Sequence, residues 1–291
     1  MGEKTKIAWT DSTWNPLKGT LGPWTCVKVS EGCANCYAER VTVRFGGQHY
    51  REGADTPRVA PEHILKQPLR WRRPRRIFVC SMTDLFAEAH TDAMIDEVMS
   101  VVATAAMTNG HTFQILTKRA RRMAGYMLRW YERRPWPLCL YDKAADPLPG
   151  LWLGISAENQ RRYDERVLDL LSTPARVRWV SAEPLLGPLE LGPALRLGAQ
   201  GIGWIVGGGE SGGPMERSLV TRQGWPPAVS RWEIKPEALE WAVSLRDQCQ
   251  LERVPFFWKQ WGGPRPETIS PALDGKVYHE SLVYNIIPAA R

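Results

Sequence analysis

Apolar residues in this chain fall into short, nearly continuous runs rather than alternating ones. The runs are "RIFVC" (76–80), "TFQIL" (112–116), "LWLGIS" (151–156), "VRWVSA" (177–182), "IGWIVG" (202–207) and "VPFFW" (254–258), with "KIAWT" (6–10) as an earlier member. Runs of this length and continuity predict strands buried on both faces, as in a parallel sheet. Between them lie segments with helical periodicity. "TDAMIDEVMSVVATAAMT" (91–108) opens on Thr91 as an N-cap, "KPEALEWAVSLRDQCQ" (235–250) carries Pro in its first turn, and "NQRRYDERVLDLLS" (159–172) is amphipathic. Strand and helix alternating this often predict an α/β fold with right-handed crossovers, specifically a (β/α) TIM-type barrel, partial or irregular. Residues 1–262 are expected to form that single domain. Residues 45–75 and 131–150, rich in Pro, Gly and Arg, read as long loops, and 263–291 as an appended tail.

The residues that follow the runs share a chemistry. Asp84 follows the run at 76–80, Lys118 the run at 112–116, and Glu158 and Asn159 the run at 151–156. Glu183 follows the run at 177–182, Gly208-Gly209-Glu210-Ser211 the run at 202–207, and Lys259 the run at 254–258. In a barrel these positions share the C-terminal mouth, where active sites are built. Asp84, Lys118, Glu158, Glu183 and Lys259 are the candidate catalytic groups. A glycine run can also cradle phosphate through backbone N–H groups, although "GGGESG" lacks the Lys-Ser/Thr of a P-loop.

Composition changes this picture little. The chain is 43% hydrophobic and 24% charged, as in ordinary globular proteins, and has no apolar run long enough for a membrane span. The N-terminus "MGEKTKIAWTDSTW" has no apolar leader core, and Lys6 stands where a myristoylation signal needs Ser or Thr. The expectation is a cytoplasmic protein with reduced thiols and no membrane partner. The net charge of +7 concentrates in "RWRRPRR" (70–76) and "KRARRMAGYMLRWYERR" (118–134). Those segments read either as phosphate-binding surfaces with stacking aromatics or as solvated helix faces.

The cysteines change it more. Cys26, Cys33 and Cys36 lie within eleven residues, spaced C-x6-C-x2-C, while Cys80, Cys139 and Cys249 are scattered and read as core residues. In a reducing compartment such a trio points to a metal. Structural zinc wants four ligands, and His49 is the nearest fourth. Three thiolates also suit a 4Fe-4S cluster whose fourth iron takes an outside ligand. Trp9, Trp14 and Trp24 flank the loop, placed to shield a cluster or stack on an adenine.

A partial barrel with three cysteines in its first βα loop resembles the radical S-adenosylmethionine enzymes. More closely, the chain is similar to the phage and prophage protein family named for gene product 37 and gene product 68. The matching stretches are "TDSTWNP" (10–16), "KVSEGCANCYAE" (28–39), "CSMTDLF" (80–86), "QILTKR" (114–119), "LGISAEN" (153–159), "SAEPLLGP" (181–188), "GGESG" (208–212), "SLRDQC" (244–249) and "VPFFWKQWG" (254–262). Two features depart from the radical enzymes. Their usual motif is C-x3-C-x2-C with an aromatic residue before the last cysteine, whereas here Tyr37 follows it. Their Gly-Gly-Glu follows an early strand, whereas here it follows a late one. Relative to the phage family, residues are inserted between Pro16 and Cys26, and the tail diverges after Asp274.

The resemblance implies an iron–sulfur enzyme. Cys26, Cys33 and Cys36 would hold the cluster, and S-adenosylmethionine would bind its open iron and, on reduction by an electron donor, release a 5′-deoxyadenosyl radical. Tyr37, Asn159, Gly208, Gly209, Glu210 and Ser211 would contact that cofactor. The substrate would be a nucleic acid, a nucleotide or another phage-relevant molecule. Two other readings stand beside it: a non-enzymatic zinc or iron–sulfur protein that binds nucleic acid, and a metal-dependent hydrolase using the rim carboxylates.

Overall fold

The computed structural model describes residues 5–133, 147–195, 201–223, 231–264, 266 and 269–282. Cys139, Arg134 and most of the 131–150 segment lie outside the described residues. In chain order the strands are β1 (Ser12–Trp14), β2 (Leu17–Gly19), β3 (Pro57–Val59), β4 (Arg76–Val79), β5 (Thr112–Thr117), β6 (Leu151–Ser156), β7 (Val177–Ala182), β8 (Ile202–Gly207), β9 (Val220–Gln223), β10 (Arg231–Ile234) and β11 (Phe256–Trp258). The helices are α1 (Tyr37–Arg44), α2 (Glu62–Leu65), α3 (Gln67–Arg70), α4 (Asp92–Asn109), α5 (Ala120–Arg133), α6 (Gln160–Ser172) and α7 (Pro236–Leu251).

Seven strands form one parallel sheet in the order β1-β4-β5-β6-β7-β8-β11. The class is therefore α/β, with a sheet compatible with a partial TIM-like barrel. Among the described residues the order runs from β1 to β11 without closing. Every residue of β6, β7 and β8 is buried, which is why these segments read as continuous apolar runs. Among the described residues, no helix is long and apolar enough to cross a membrane.

Internal contacts divide the chain into two compact units. The first comprises the described residues of Met1–Ile155 together with Leu168–Arg178. The second comprises those of Ser156–Val167 and Trp179–Leu282. In the first, Ile77, Val79, Phe113, Ile115, Leu151 and Leu153 are fully buried. Helix α4 starts where its sequence says it should, since the Thr91 hydroxyl accepts the Met94 N–H at 3.3 Å, and it stops at Gly110, which has φ 67°. Helix α5 buries Met123, Met127 and Trp130 at helical spacing. In the second unit, Trp179 and Trp204 pack with ring centroids 5.3 Å apart, and Trp258 and Trp261 at 4.8 Å.

Two local expectations give way. The first strand is Ser12–Trp14 rather than 6–10, because Thr10 N–H turns back to the Ile7 carbonyl at 3.3 Å and Trp9 packs edge-on against Phe78. The 45–75 stretch is not all loop: it carries β3, which pairs antiparallel with β2, as well as α2 and α3. Periodicity misses elements this short because three or four residues carry less than one period of helix signal. Strands β9 and β10 form a separate antiparallel pair.

Residues 273–280, within the tail set apart by sequence, run beside β11. The Trp258 N–H donates to the Tyr278 carbonyl at 2.8 Å, the Glu280 N–H donates to the Phe256 carbonyl at 3.1 Å, and Leu273 is fully buried.

Gly150 enters β6 at φ 75°, and a Cβ there would lie 2.3 Å from the His111 carbonyl oxygen. Gly150→Ala is therefore expected to lower the unfolding free energy by more than about 2 kcal/mol, as read by urea titration.

Candidate functional site

In the first unit, the ends of β1, β4 and β5 converge on residues 80–84. Cys80 takes a left-handed φ of 57°, and its N–H donates to the Trp14 carbonyl at 2.8 Å, turning the chain out of β4. Asn15, just past β1, accepts the Met82 N–H at 3.0 Å and donates to the Ser81 hydroxyl at 3.1 Å. The cysteine-bearing segment is moored to this same turn. Thr83 donates its hydroxyl to the Thr25 carbonyl at 2.6 Å, Tyr37 donates to the Ser81 carbonyl at 2.6 Å, and Tyr50 donates to the Met82 carbonyl.

Asp84 anchors the turn. It is buried, and its carboxylate accepts the Thr117 hydroxyl at 2.7 Å, the Lys118 N–H at 3.0 Å, the Phe86 N–H at 3.0 Å and Arg119 Nη1 at 3.1 Å. Burial opposes its ionisation, but the Arg119 guanidinium and these donors outweigh it and hold the carboxyl below the usual range. Arg119 is itself buried. Its other nitrogens reach Glu88 at 2.6 Å and the Val27 carbonyl at 3.0 Å, one residue past Cys26.

The three cysteines sit on this base without a disulfide. Cys26 and Cys36 pack against one apolar cluster with Trp24, Ala38, Val41, Tyr50 and Met82. Burial pushes the Cys26 thiol up to about 11 and the Asp84 charge adds to this, while Arg119 and the Asp84 N–H favour the thiolate. Burial also raises Cys36, against the N–H groups of Glu39 and Ala38 in the first turn of α1 and the nearby charge of Lys118. Among the described residues, no three His, Cys, Asp or Glu side chains are gathered into a metal-binding group. The donor set nevertheless suits a thiolate-bound metal. It offers three reduced thiols from one loop, and the Arg119 and Lys118 charges favour the thiolate form at Cys26 and Cys36 respectively.

His49, the fourth ligand that zinc would need, instead donates Nδ1 to Glu39 at 3.2 Å, with its side chain 74% exposed. Glu39 also accepts Lys28 at 2.7 Å and the Tyr50 N–H at 3.0 Å, clamping the cysteine loop to α1. Of the three flanking tryptophans, Trp24 lies at the thiols, with Lys18 Nζ 4.4 Å from its ring. Trp14 donates to the Ile64 carbonyl at 2.8 Å, and Trp9 packs on Phe78.

The second unit gathers the other rim residues, and each has a partner. Glu158 is fully buried and pairs with Arg166 at 2.8 Å. Asn159 caps α6, its Oδ1 accepting the Arg162 N–H at 3.1 Å. Glu210 takes two nitrogens of Arg217 at 2.9 Å each. Ser211 meets Gln260 Nε2. Glu183, which precedes a cis proline, pairs with Lys259 at 3.0 Å and keeps partial exposure. A Cβ on Gly208 would lie 3.1 Å from Glu183 Oε1, and one on Gly209 would lie 2.2 Å from the Trp261 carbonyl oxygen, so both glycines allow close backbone approach. The site thus offers one partly exposed acid–amine pair beside a side-chain-free backbone.

Sequence reasoning missed the cations Arg119, Arg166 and Arg217, as well as Asn15 and Glu39. Arg119 had a local signal, standing next to Lys118 in "LTKR". The basic segments are engaged in part. Arg122 donates to the carbonyls of Phe86, Ala87 and His90, Arg129 pairs with Asp92, and Arg133 pairs with Asp96. Tyr126 and Trp130 are buried. Arg76 pairs with Asp11 at 2.9 Å, and Arg75 lies over the buried Trp71.

Fold and site together define an α/β protein whose parallel strands end in cation-paired carboxylates, with a reduced three-cysteine loop moored on one such pair. The chain belongs to the family described as protein of unknown function DUF5131, whose model matches residues 4–286. No curated protein and no solved structure matches it.

Two outcomes follow from the Asp84 base. Arg119→Met leaves a buried carboxylate without its counter-ion and is expected to cost about 3–5 kcal/mol by urea titration. Because the folded Asp84 carboxyl is depressed, its stabilisation is present above about pH 4 and is lost as pH falls through the lower folded value. Asp84→Asn is expected to flatten the fall of stability below about pH 4, measured by denaturation across that window.

Proposed function

We propose that this protein is an iron–sulfur enzyme of the radical S-adenosylmethionine type, as its phage-family and radical-enzyme resemblances imply. The observation that carries the reading is the cysteine loop itself. Three thiols free of disulfides come from one loop moored to the turn at the C-terminal end of β4. Cys26, Cys33 and Cys36 would hold a 4Fe-4S cluster. When bound, the cluster and S-adenosylmethionine supply one-electron chemistry that yields methionine and a 5′-deoxyadenosyl radical.

The chain's own groups have separate tasks. Asp84 fixes the turn beneath the loop, and Arg119 holds the loop through the Val27 carbonyl while placing positive charge beside Cys26. That charge favours the thiolate and offsets the net negative charge of thiolate ligands. Tyr37, 48% exposed and next to Cys36, presents its ring beside the loop, where a purine would stack. Trp24, Tyr50 and Met82 exclude water from the inner side of the thiols. In the second unit, the Glu183–Lys259 pair is the acid–amine couple suited to binding a polar substrate group or moving a proton. Glu158 and Glu210, held by arginines, act as scaffold for that rim.

The non-enzymatic nucleic-acid reading on the segments at 70–76 and 118–134 is weaker, because Arg76, Arg119, Arg122, Arg129 and Arg133 meet carboxylates or carbonyls of the chain, and Trp71, Tyr126 and Trp130 are buried. The reading is tested by anaerobic reconstitution, metal analysis and electron paramagnetic resonance of the reduced protein. About four irons per chain are expected, with a spectrum that changes on adding S-adenosylmethionine and is lost in Cys33→Ala. Zinc alone, or a cluster indifferent to S-adenosylmethionine, would overturn it.

A further inference from the structure

The outer surface of the first unit around residues 19–58 is unusual in what it leaves exposed. Eight large hydrophobic side chains are exposed among the described residues, and four of them fall here: Leu21 and Phe45 at 68%, Tyr37 at 48% and Val29 at 37%. The exposed charges of the same stretch are Lys28, Arg40, Arg44, Arg51 and Arg58, against Glu52 alone.

Short contacts bring the parts of this face together. Tyr37, Arg40 and Arg44 stand at i, i+3 and i+7 on α1, so they share one side of it, and Phe45 follows directly. Gly22 lies so close to the 45–48 turn that a Cβ on it would come 2.5 Å from Gly47 Cα, which sets the chain next to Leu21 against the chain next to Phe45. Asp55 accepts the N–H groups of Thr20 and Leu21 at 3.0 and 2.9 Å, and Arg58 donates to the Gly19 carbonyl at 3.0 Å, bringing 55–58 alongside. Lys28 reaches α1 through Glu39.

We propose that this face binds single-stranded nucleic acid. Exposed rings flanked by arginines are what a flexible polyanion with stackable bases requires. Base stacking is tolerant of sequence, and arginine serves both phosphate and ring. The excess of cations gives the charge complementarity. An acidic protein would match the charge but has no call for Tyr37 and Phe45 set among arginines. The proposal does not depend on the cysteines holding a metal, and it uses none of the arginines at 118–133.

The test is fluorescence anisotropy of the full chain with a fluorescein-labelled oligothymidylate of about 20 nucleotides, from about 50 to about 200 mM salt. Binding is expected to weaken steeply with salt. The double variant Arg44→Glu/Arg51→Glu should lose at least about tenfold in affinity and flatten the salt slope. Phe45→Ala should lose about fivefold or more with the slope unchanged, because it removes stacking and no charge. All three side chains are exposed, so circular dichroism and the melting temperature should match the parent. The proposal is overturned if binding is absent or indifferent to salt, or if the charge reversal has no effect. It is also overturned if polyglutamate displaces the oligonucleotide as well as unlabelled oligonucleotide does while Phe45→Ala is neutral, since that pattern belongs to an acidic protein partner.

Discussion

The buried ion pair between Asp84 and Arg119 is the interaction on which the cysteine-bearing part of the protein depends. A carboxylate removed from water is stable only if nearly all its acceptor capacity is used, and Asp84 meets that with a hydroxyl, two backbone N–H groups and a guanidinium. Arg119 faces the same demand and satisfies it with Asp84, Glu88 and the Val27 carbonyl. One pair thereby joins the end of β4, the end of β5 and the loop that carries Cys26. The turn at 80–84 then accepts Tyr37 and Tyr50 and donates to Thr25, so the loop's position follows from the pair beneath it.

The second unit repeats the pattern with different partners. Glu158 uses an arginine one helical register along α6, and Glu210 uses one from the short turn that follows it. A carboxylate at the end of a buried strand faces two alternatives, exposure to solvent or pairing, and burial of β6 and β8 leaves little room for the first. Glu183 and Lys259 differ in keeping partial exposure.

Basic residues sort by the same criterion. Along α5 the arginines close onto Asp92, Asp96 and the carbonyls at 86–90, and the helix turns its aromatics into the core. Around α1 the arginines stay at the surface beside rings that also stay at the surface. Two segments that are alike in composition thus differ in the surface they present, because their helices bury opposite kinds of side chain.

The sequence by itself determined the α/β class, most strands of the parallel sheet, the cap of α4, and the close spacing of Cys26, Cys33 and Cys36. These are local properties: continuous apolar runs, a Thr before a periodic segment, and residues a few positions apart. It also located the strand-end carboxylates, since each follows an apolar run within four residues. Only the tertiary structure decided what those carboxylates do. Asp84 meets a cation 35 residues away and Glu210 meets one 7 residues away, and no pattern along the chain tells which carboxylate each arginine will meet. The same holds for Asn159, which reads as a cofactor contact and is a helix cap, and for His49, which reads as a fourth ligand and is bound to Glu39. Chain order records which groups are present. Burial and the pairing it enforces select which of them remain accessible for chemistry.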